Sequence, residues 1–272
     1  MSISPLEQPY NERGSSHDHK SHQAHHFDHE LKDPEFEITR PRGGGRFYEF
    51  LMDFKVRTAL RLLDRRIDTT NVLDVCAGSG MDAELLSQRG ARVINLDISL
   101  GALGRAKERN RRHNLNNLLV AADAEHLPFA DGSFDYAFVH DGLHHLDDPS
   151  EAIEEMARVS RRGFIITEPA DAWLTWLVTK LKFIPEREDS GNEVRRMHPS
   201  TLVPLASKLG YRTARFKRYL VKYPHQPGRL FRLLDMPGLF SIGRVAFDLV
   251  GVRLFGPLGN KIAFVALREG VS

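Results

Sequence analysis

Four short stretches of this chain carry side chains able to do chemistry, and each follows an apolar run. The first is VLDVCAGSG at 72–80, where the apolar run stops at Asp74 and glycines follow at Gly78 and Gly80. Glycine there lets backbone approach a ligand closely and clears Cβ clashes at the mouth of a helix. The second is Asp97, 17 residues beyond Gly80. An acid in that place can accept hydrogen bonds from both hydroxyls of a ribose, and it equally suits the N-terminus of the next helix. The third is DAEHLPF at 123–129, in which Asp123 can accept from an exocyclic amine and the Ala124 N–H can donate to a purine ring. The fourth is HDGLHHLDDP at 140–149, which gathers His140, Asp141, His144 and His145 in one loop. Singly these signals are weak, because G-x-G turns occur in unrelated proteins and paired histidines often only order a loop.

The elements that must position them alternate. NVLDV (71–75), ARVINLD (91–97), NLLVAAD (117–123), SFDYAFVHD (133–141) and RRGFIITEP (161–169) read as strands. Between them, 81–90, roughly 101–113 and 149–160 read as helices, the last with Pro149 in its first turn. Such alternation predicts right-handed βαβ units and a parallel, doubly wound sheet. Ligands of these sheets bind beyond the carboxyl ends of the strands, near the reversal in strand order. All four stretches fall in those loops. Upstream, FYEFLMDFKVRTALRLLDRRI (47–67) has apolar residues at helical spacing. Beyond residue 170 the pattern loosens into an apolar helix up to Pro185, a helix at 198–211, a strand at 211–220, and a final strand at 261–269.

Together these residues resemble the class I S-adenosylmethionine (SAM)-dependent methyltransferases, in the branch acting largely on small molecules and lipids (methyltransferase type 11-like). The resemblance covers about residues 70–170 and is strongest in DAEHLPFADGSFDYAFVHDGLHHLDDP. It implies an α/β fold: a Rossmann-like, doubly wound, seven-stranded, mostly parallel sheet with a terminal antiparallel strand, plus helical inserts. It implies SAM as cofactor, with Asp74 and the Ala77–Gly80 turn holding the methionine part. Asp97 would bind the ribose, Ile98 would pack on the adenine, and Asp123 and the Ala124 N–H would meet the adenine edge. His140 would sit near the sulfonium and its methyl. Where the family commonly has a first glycine this chain has Cys76, read here as packing. Methyl transfer needs chiefly an aligned acceptor, for which proximity supplies roughly 7–11 kcal/mol. His140 and His144 are the candidate bases where the acceptor must lose a proton.

Composition sets the frame. Of 272 residues, 41% are apolar and 27% charged, ordinary for a globular chain. Cys76 is the only cysteine, which excludes an internal disulfide, makes a structural zinc site a poor candidate, and points to a reducing cytosol. No window approaches the roughly 18 apolar residues of a membrane span, and the N-terminus has no apolar core for a secretory signal. A cytoplasmic protein is therefore expected, with no metal. Residues 1–40, rich in histidine (His17, His19, His22, His25, His26 and His29), read as a disordered or partly ordered segment. Residues 41–272 then form the methyltransferase domain, with inserts at about 171–196 and 221–260.

The formal net charge of +2 conceals an asymmetry: 195–272 carries 14 Lys and Arg against 3 Asp and Glu, and 1–194 carries 24 against 33. In the first insert, Trp173, Leu177, Leu181 and Ile184 share a helical face, fitting either a core helix or a lid over an apolar acceptor pocket. In the second, 236–259 is apolar but broken by Arg244, Asp248 and Arg253, fitting a membrane surface, a dimer face or a pocket cap. With the basic residues nearby, the expected partner is a small-molecule acceptor, lipid-linked or anionic, with peripheral membrane contact through 236–259. An RNA methyltransferase gripping its substrate with the basic third is the alternative; no N-P-P-Y-type loop or RNA-binding module supports it. A non-catalytic SAM-binding protein is a second alternative. A dinucleotide dehydrogenase would want a fuller glycine fingerprint than GSG and leaves DAEHLPF unexplained.

Overall fold

The computed structural model describes residues 20, 24–25, 27–28, 33–146, 148–171, 196–221 and 226–269. Most of the histidine-rich tract and the first insert's helical face therefore lie outside the described residues. Seven strands form one sheet: β1 (Asn71–Val75), β2 (Arg92–Asp97), β3 (Leu118–Ala121), β4 (Phe134–His140), β5 (Ser160–Pro169), β6 (Thr213–Tyr219) and β7 (Lys261–Leu267). Their order is β3-β2-β1-β4-β5-β7-β6. β1 pairs in parallel with β2 and β4, β2 with β3, and β4 with β5. The last strand, β7, runs antiparallel between β5 and β6. This is the Rossmann-like, doubly wound sheet with a reversed final strand that the alternation and the resemblance imply.

The sheet is covered on both faces, and its sequence shows why. All 7 residues of β4 are buried, as a parallel strand sandwiched between helix layers requires. Alternate residues feed two cores: Val72, Tyr136, Phe138, Ile165 and Val265 enter one, and Leu73, Ala137, Val139, Phe164 and Phe264 the other. Each buried Val, Leu, Ile or Phe side chain among them contributes roughly 1.5–3 kcal/mol. The first core is closed by α2 (Arg46–Leu63), the second partly by α5 (Pro149–Val159) and α6 (Pro199–Lys208).

Local chemistry sets the element ends. A short α1 (Pro34–Thr39) is capped by Asp33, which accepts from Phe36 N at 2.9 Å. α4 (Leu100–His113) is capped by Ser99, accepting from Ala102 N at 2.9 Å. α3 (Met81–Ser87) stops before the expected Gly90, because Arg89 N and Gly90 N bond three residues back, to Leu86 O and Ser87 O, and tighten the turn. β3 is shorter than the expected 117–123: Ala122 N turns to Asp97 O, and His126 N closes a turn on Asp123 O.

The second insert leaves the sheet after Tyr219 and returns at Lys261. Its described part holds α7 (Arg229–Leu234), α8 (Pro237–Ala246) and a π-helical stretch, Phe247–Leu254. Aromatic rings fasten it to α2: Phe231 lies 5.9 Å from Phe47, and Phe247 lies 4.9 Å from Phe54, edge to face.

Candidate functional site

Strand order reverses between β1 and β4, so the crevice at their carboxyl ends is where a doubly wound sheet takes its ligand. The glycine turn after β1 is shaped by positive φ at Cys76 (54°), Gly78 (54°) and Gly80 (75°). A Cβ on Gly80 would stand 2.7 Å from Asn95 Nδ2, which ties that glycine to close packing. A Cβ on Gly78 would meet nothing within 4 Å, so the backbone there faces open space. Asp97 joins this turn to the one after β2, accepting from Gly78 N at 2.8 Å and from Ser99 N at 2.9 Å. Burial pushes the Asp97 carboxyl up, opposed by those two N–H groups. Cys76 packs against the loop after β4, its Cβ 2.4 Å from where a Cβ on Gly142 would stand. Burial, with nearby carboxylates, holds its thiol well above the ordinary range, so it stays protonated.

Asp74 lies behind the turn at 1% exposure, and its Oδ2 has no hydrogen-bond partner among the described residues. Burial raises its carboxyl well above the carboxylate range, and the charges of Asp82 and Asp97 add to the rise. A buried acceptor of this kind fits an ammonium brought by a ligand. Ile98 is 40% exposed and Ala124 buried. Asp123 accepts from Glu125 N at 3.0 Å and from Lys20 Nζ at 2.6 Å, so an ammonium of the chain itself stands where an adenine amine is expected. Burial pushes Asp123 up, but Lys20 and the Glu125 N–H outweigh it and the net shift is downward. Asp28 also comes from this N-terminal region, accepting from Gly101 N at 2.8 Å beside Asp97's turn.

The histidines sit in a buried polar network. His140, at the end of β4, places Nδ1 2.8 Å from Asp82 Oδ1. Its Nε2 lies 3.3 Å from Asp141 Oδ2, in ion-pair reach without the alignment of a hydrogen bond. Burial lowers the His140 pKa, but the two aspartates outweigh both burial and Lys55, and the net shift is upward. Asp141 in turn holds two ammoniums, Lys55 Nζ at 2.6 Å and Lys261 Nζ at 2.5 Å. Against burial, Lys261 and Lys55 keep its carboxyl well below the usual range. His144 puts Nδ1 2.7 Å from Glu168 Oε2, while Glu168 Oε1 accepts from Gly142 N and Leu143 N, both at 2.8 Å. Glu168 is fully buried at the end of β5. One carboxylate thus folds the loop after β4 and orients its histidine.

The residues singled out in the sequence therefore fall at the carboxyl ends of β1 to β4, joined by four that sequence reasoning missed. Glu168 had a signal, a carboxylate ending the apolar run FIITEP. Lys55 had another: it lies between Leu51 and Ala59 on the buried row of α2. Asp82 and Lys261 had none, each lying in an exposed-looking context at an element's start. Among the described residues no group of three or more His, Cys, Asp or Glu is placed to hold a metal ion.

Residues 73–167 match a family model described as a methyltransferase domain. Among curated proteins, the demethylmenaquinone methyltransferase of Thermobifida fusca is 39% identical over 115 residues, 39% of this chain and 49% of that one. That of Renibacterium salmoninarum is 42% identical over 92 residues, 34% of this chain and 37% of that one. The matches thus span about half or less of these relatives' length. Among solved structures, the magnesium protoporphyrin IX methyltransferase of Synechocystis PCC 6803 with bound SAH superposes with a TM-score of 0.62 at 16% identity. It covers 92% of this chain and 100% of that one. The likeness is one of fold, the class I methyltransferase fold.

Proposed function

We propose that this chain, whose residues 73–167 match a methyltransferase domain, transfers a methyl group from SAM to a small-molecule acceptor of the lipid-linked quinone kind. Names of the relatives support the acceptor. The observation that carries the cofactor is Asp74: a buried carboxylate oxygen without a partner among the described residues, behind a turn whose Gly78 faces open space. Asp74, Ala77, Gly78 and Gly80 would hold the methionine end. Asp97, Ile98, Asp123 and Ala124 would hold the nucleoside, with Lys20 leaving Asp123 as the amine arrives. Bound SAM supplies a methyl made electrophilic by its sulfonium.

The chain's own residues handle the proton. With Glu168 at Nδ1, a neutral His144 carries its lone pair on Nε2 and takes a proton from an acceptor hydroxyl, the imidazolium then being stabilised by the same carboxylate. His140 is differently placed: Asp82 and Asp141 favour its charged form, which would stabilise an acceptor anion. Lys55 and Lys261 keep Asp141 ionised in that role. We read residues 41–272 as one domain. A lipid-linked acceptor also implies a peripheral encounter with a membrane; among the described residues no helix is long and apolar enough to cross one.

Calorimetry with SAM on wild type and Asp97→Ala tests this reading. Losing charged hydrogen bonds worth roughly 1.5–3 kcal/mol each should weaken binding about a hundredfold. Wild-type protein that binds SAM no more tightly than the variant would sink the assignment.

A further inference from the structure

Of the 15 large apolar residues that are exposed among the described ones, 10 fall between Leu230 and Leu258. Ile242, Val245 and Leu249 are 64%, 67% and 58% exposed, and their spacing puts them on one stripe of the α8–π helix. α8 has no buried residue at all. The inner side of this hairpin is already satisfied by the rings on α2 (Phe231 on Phe47, Phe247 on Phe54). Its outer side is apolar as well, and an apolar surface of that extent on a folded chain marks a contact with something else.

Charge says what. Arg57 and Arg244 both stand over the Phe50 ring, at 5.9 and 5.1 Å, and Arg46 stands over Phe240 at 4.5 Å. Arg57 also borders a shallow pocket of about 280 Å³ lined by Arg61, Arg65, Arg66 and Arg89. Asp53 pairs with Arg57 and Arg89, and Asp68 with Arg66, so among the described residues these five arginines face two acids and the shoulder stays net positive. An apolar crest with an arginine shoulder is complementary to acyl chains beneath anionic phosphate headgroups. A second copy fits less well, since a two-fold contact on this face would set the arginine shoulders of the two chains close together.

We infer that the α7–α8–π hairpin docks the protein on an anionic lipid bilayer, the crest entering the acyl boundary and the arginine shoulder taking the phosphates. The placement serves the site. The hairpin leaves the sheet at Tyr219 and returns at Lys261, both in register with Pro169 at the carboxyl end of β5, and Lys261 itself reaches Asp141. Arg65, Arg66 and Arg89 precede β1 and β2 at the opposite, amino end of the sheet, so the chain docks along its α2 flank, and a lipid-linked acceptor would reach the crevice from beside the base of the hairpin. In that last respect the inference rests on the function proposed above; the docking itself does not.

Co-sedimentation of the full chain with vesicles tests it, using pure phosphatidylcholine and an equal mixture of phosphatidylcholine and phosphatidylglycerol. Wild type should bind the mixed vesicles at least about tenfold more tightly than the neutral ones, and lose most of that preference as salt shrinks the screening length from about 10 Å to about 3 Å. Ile242→Glu with Leu249→Glu should abolish binding, and Arg61→Ala with Arg65→Ala should weaken it by roughly an order of magnitude. Both pairs should keep wild-type thermal unfolding and methyl transfer to a short-chain, water-soluble quinol. Binding that is absent, indifferent to lipid charge, or unchanged by both pairs overturns the docking face. So does concentration-dependent dimerisation that Ile242→Glu with Leu249→Glu removes. Failure with the soluble quinol, by contrast, would overturn the proposed reaction and leave the docking result standing.

Discussion

The crevice and the C-terminal hairpin break the same rule in opposite directions. In the crevice, charge is inside: Lys55, Asp74, His140, His144 and Glu168 are all buried. On the hairpin, apolar side chains are outside. Burying charge and exposing hydrocarbon are both departures from the usual partition of a folded chain. The difference lies in where the compensation is found. Crevice charges are answered within the chain, carboxylate by ammonium and histidine by carboxylate, with Asp74 the main exception. The hairpin's apolar stripe has no answer among the described residues. An internally compensated departure marks a built site, and an uncompensated one marks a surface waiting for a partner.

The contrast can be attacked first at its strongest point. Glu168→Ala removes the acceptor of Gly142 N, Leu143 N and His144 at once. Breaking a buried network of this kind should cost about 3–5 kcal/mol, seen as a drop in the thermal midpoint. With His144 no longer oriented, kcat should also fall by about 10²–10⁴-fold at temperatures where the variant is folded. A variant as stable and active as wild type would show that the pairing compensates nothing.

Asp74→Asn should have a smaller and two-sided effect. Burial, with Asp82 and Asp97 nearby, raises the Asp74 pKa above its unfolded value of about 3.9. Such a group stabilises the fold below the unfolded value and loses that contribution as pH rises through the folded one. The free wild-type protein should therefore lose stability as pH rises above the ordinary carboxylate range, and the Asn variant should lose less. SAM affinity of the variant should fall at least about tenfold, because the ionised oxygen that would meet the ligand's ammonium is gone. An Asn variant that binds SAM normally, or whose stability tracks wild type across pH, breaks this reading of Asp74. The smallest effect belongs to the hairpin: Leu249→Gln should leave stability within about 0.5 kcal/mol in solution. A large loss there would mean that the stripe is packed after all.

Much of the fold was legible because it is periodic. Alternating apolar runs and helical segments mark each strand, and the spacing from Gly80 to Asp97 and on to DAEHLPF places the turns on one edge. The ends of α3 and β3 were less legible, since turn hydrogen bonds decide them. In the site, the loop residues announced themselves by type and position. Their partners did not: Lys55 and Lys261 reach Asp141 from 86 and 120 residues away. Such pairings exist only once α2 and β7 have packed, and no local pattern encodes them. The arginine shoulder was hidden for the same reason. The charge imbalance of the last third pointed to a basic face, but most of that shoulder comes from α2 and the turn after it, with Arg89 from the turn after α3.

One buried side chain bears on how this protein can be cut and recombined. Arg109, fully buried on α4, donates to Ser79 O at 2.7 Å in the glycine turn, to Arg40 O at 2.6 Å, to Glu37 O at 2.5 Å and to Glu84 at 2.9 Å. Two of those four acceptors lie outside the stretch 73–167 that matches a methyltransferase domain. A fragment trimmed to that stretch would keep the guanidinium and discard half of what receives it. A shortened form or a chimera should therefore begin upstream of α1, at or before Asp33, or replace Arg109 together with the segment it holds.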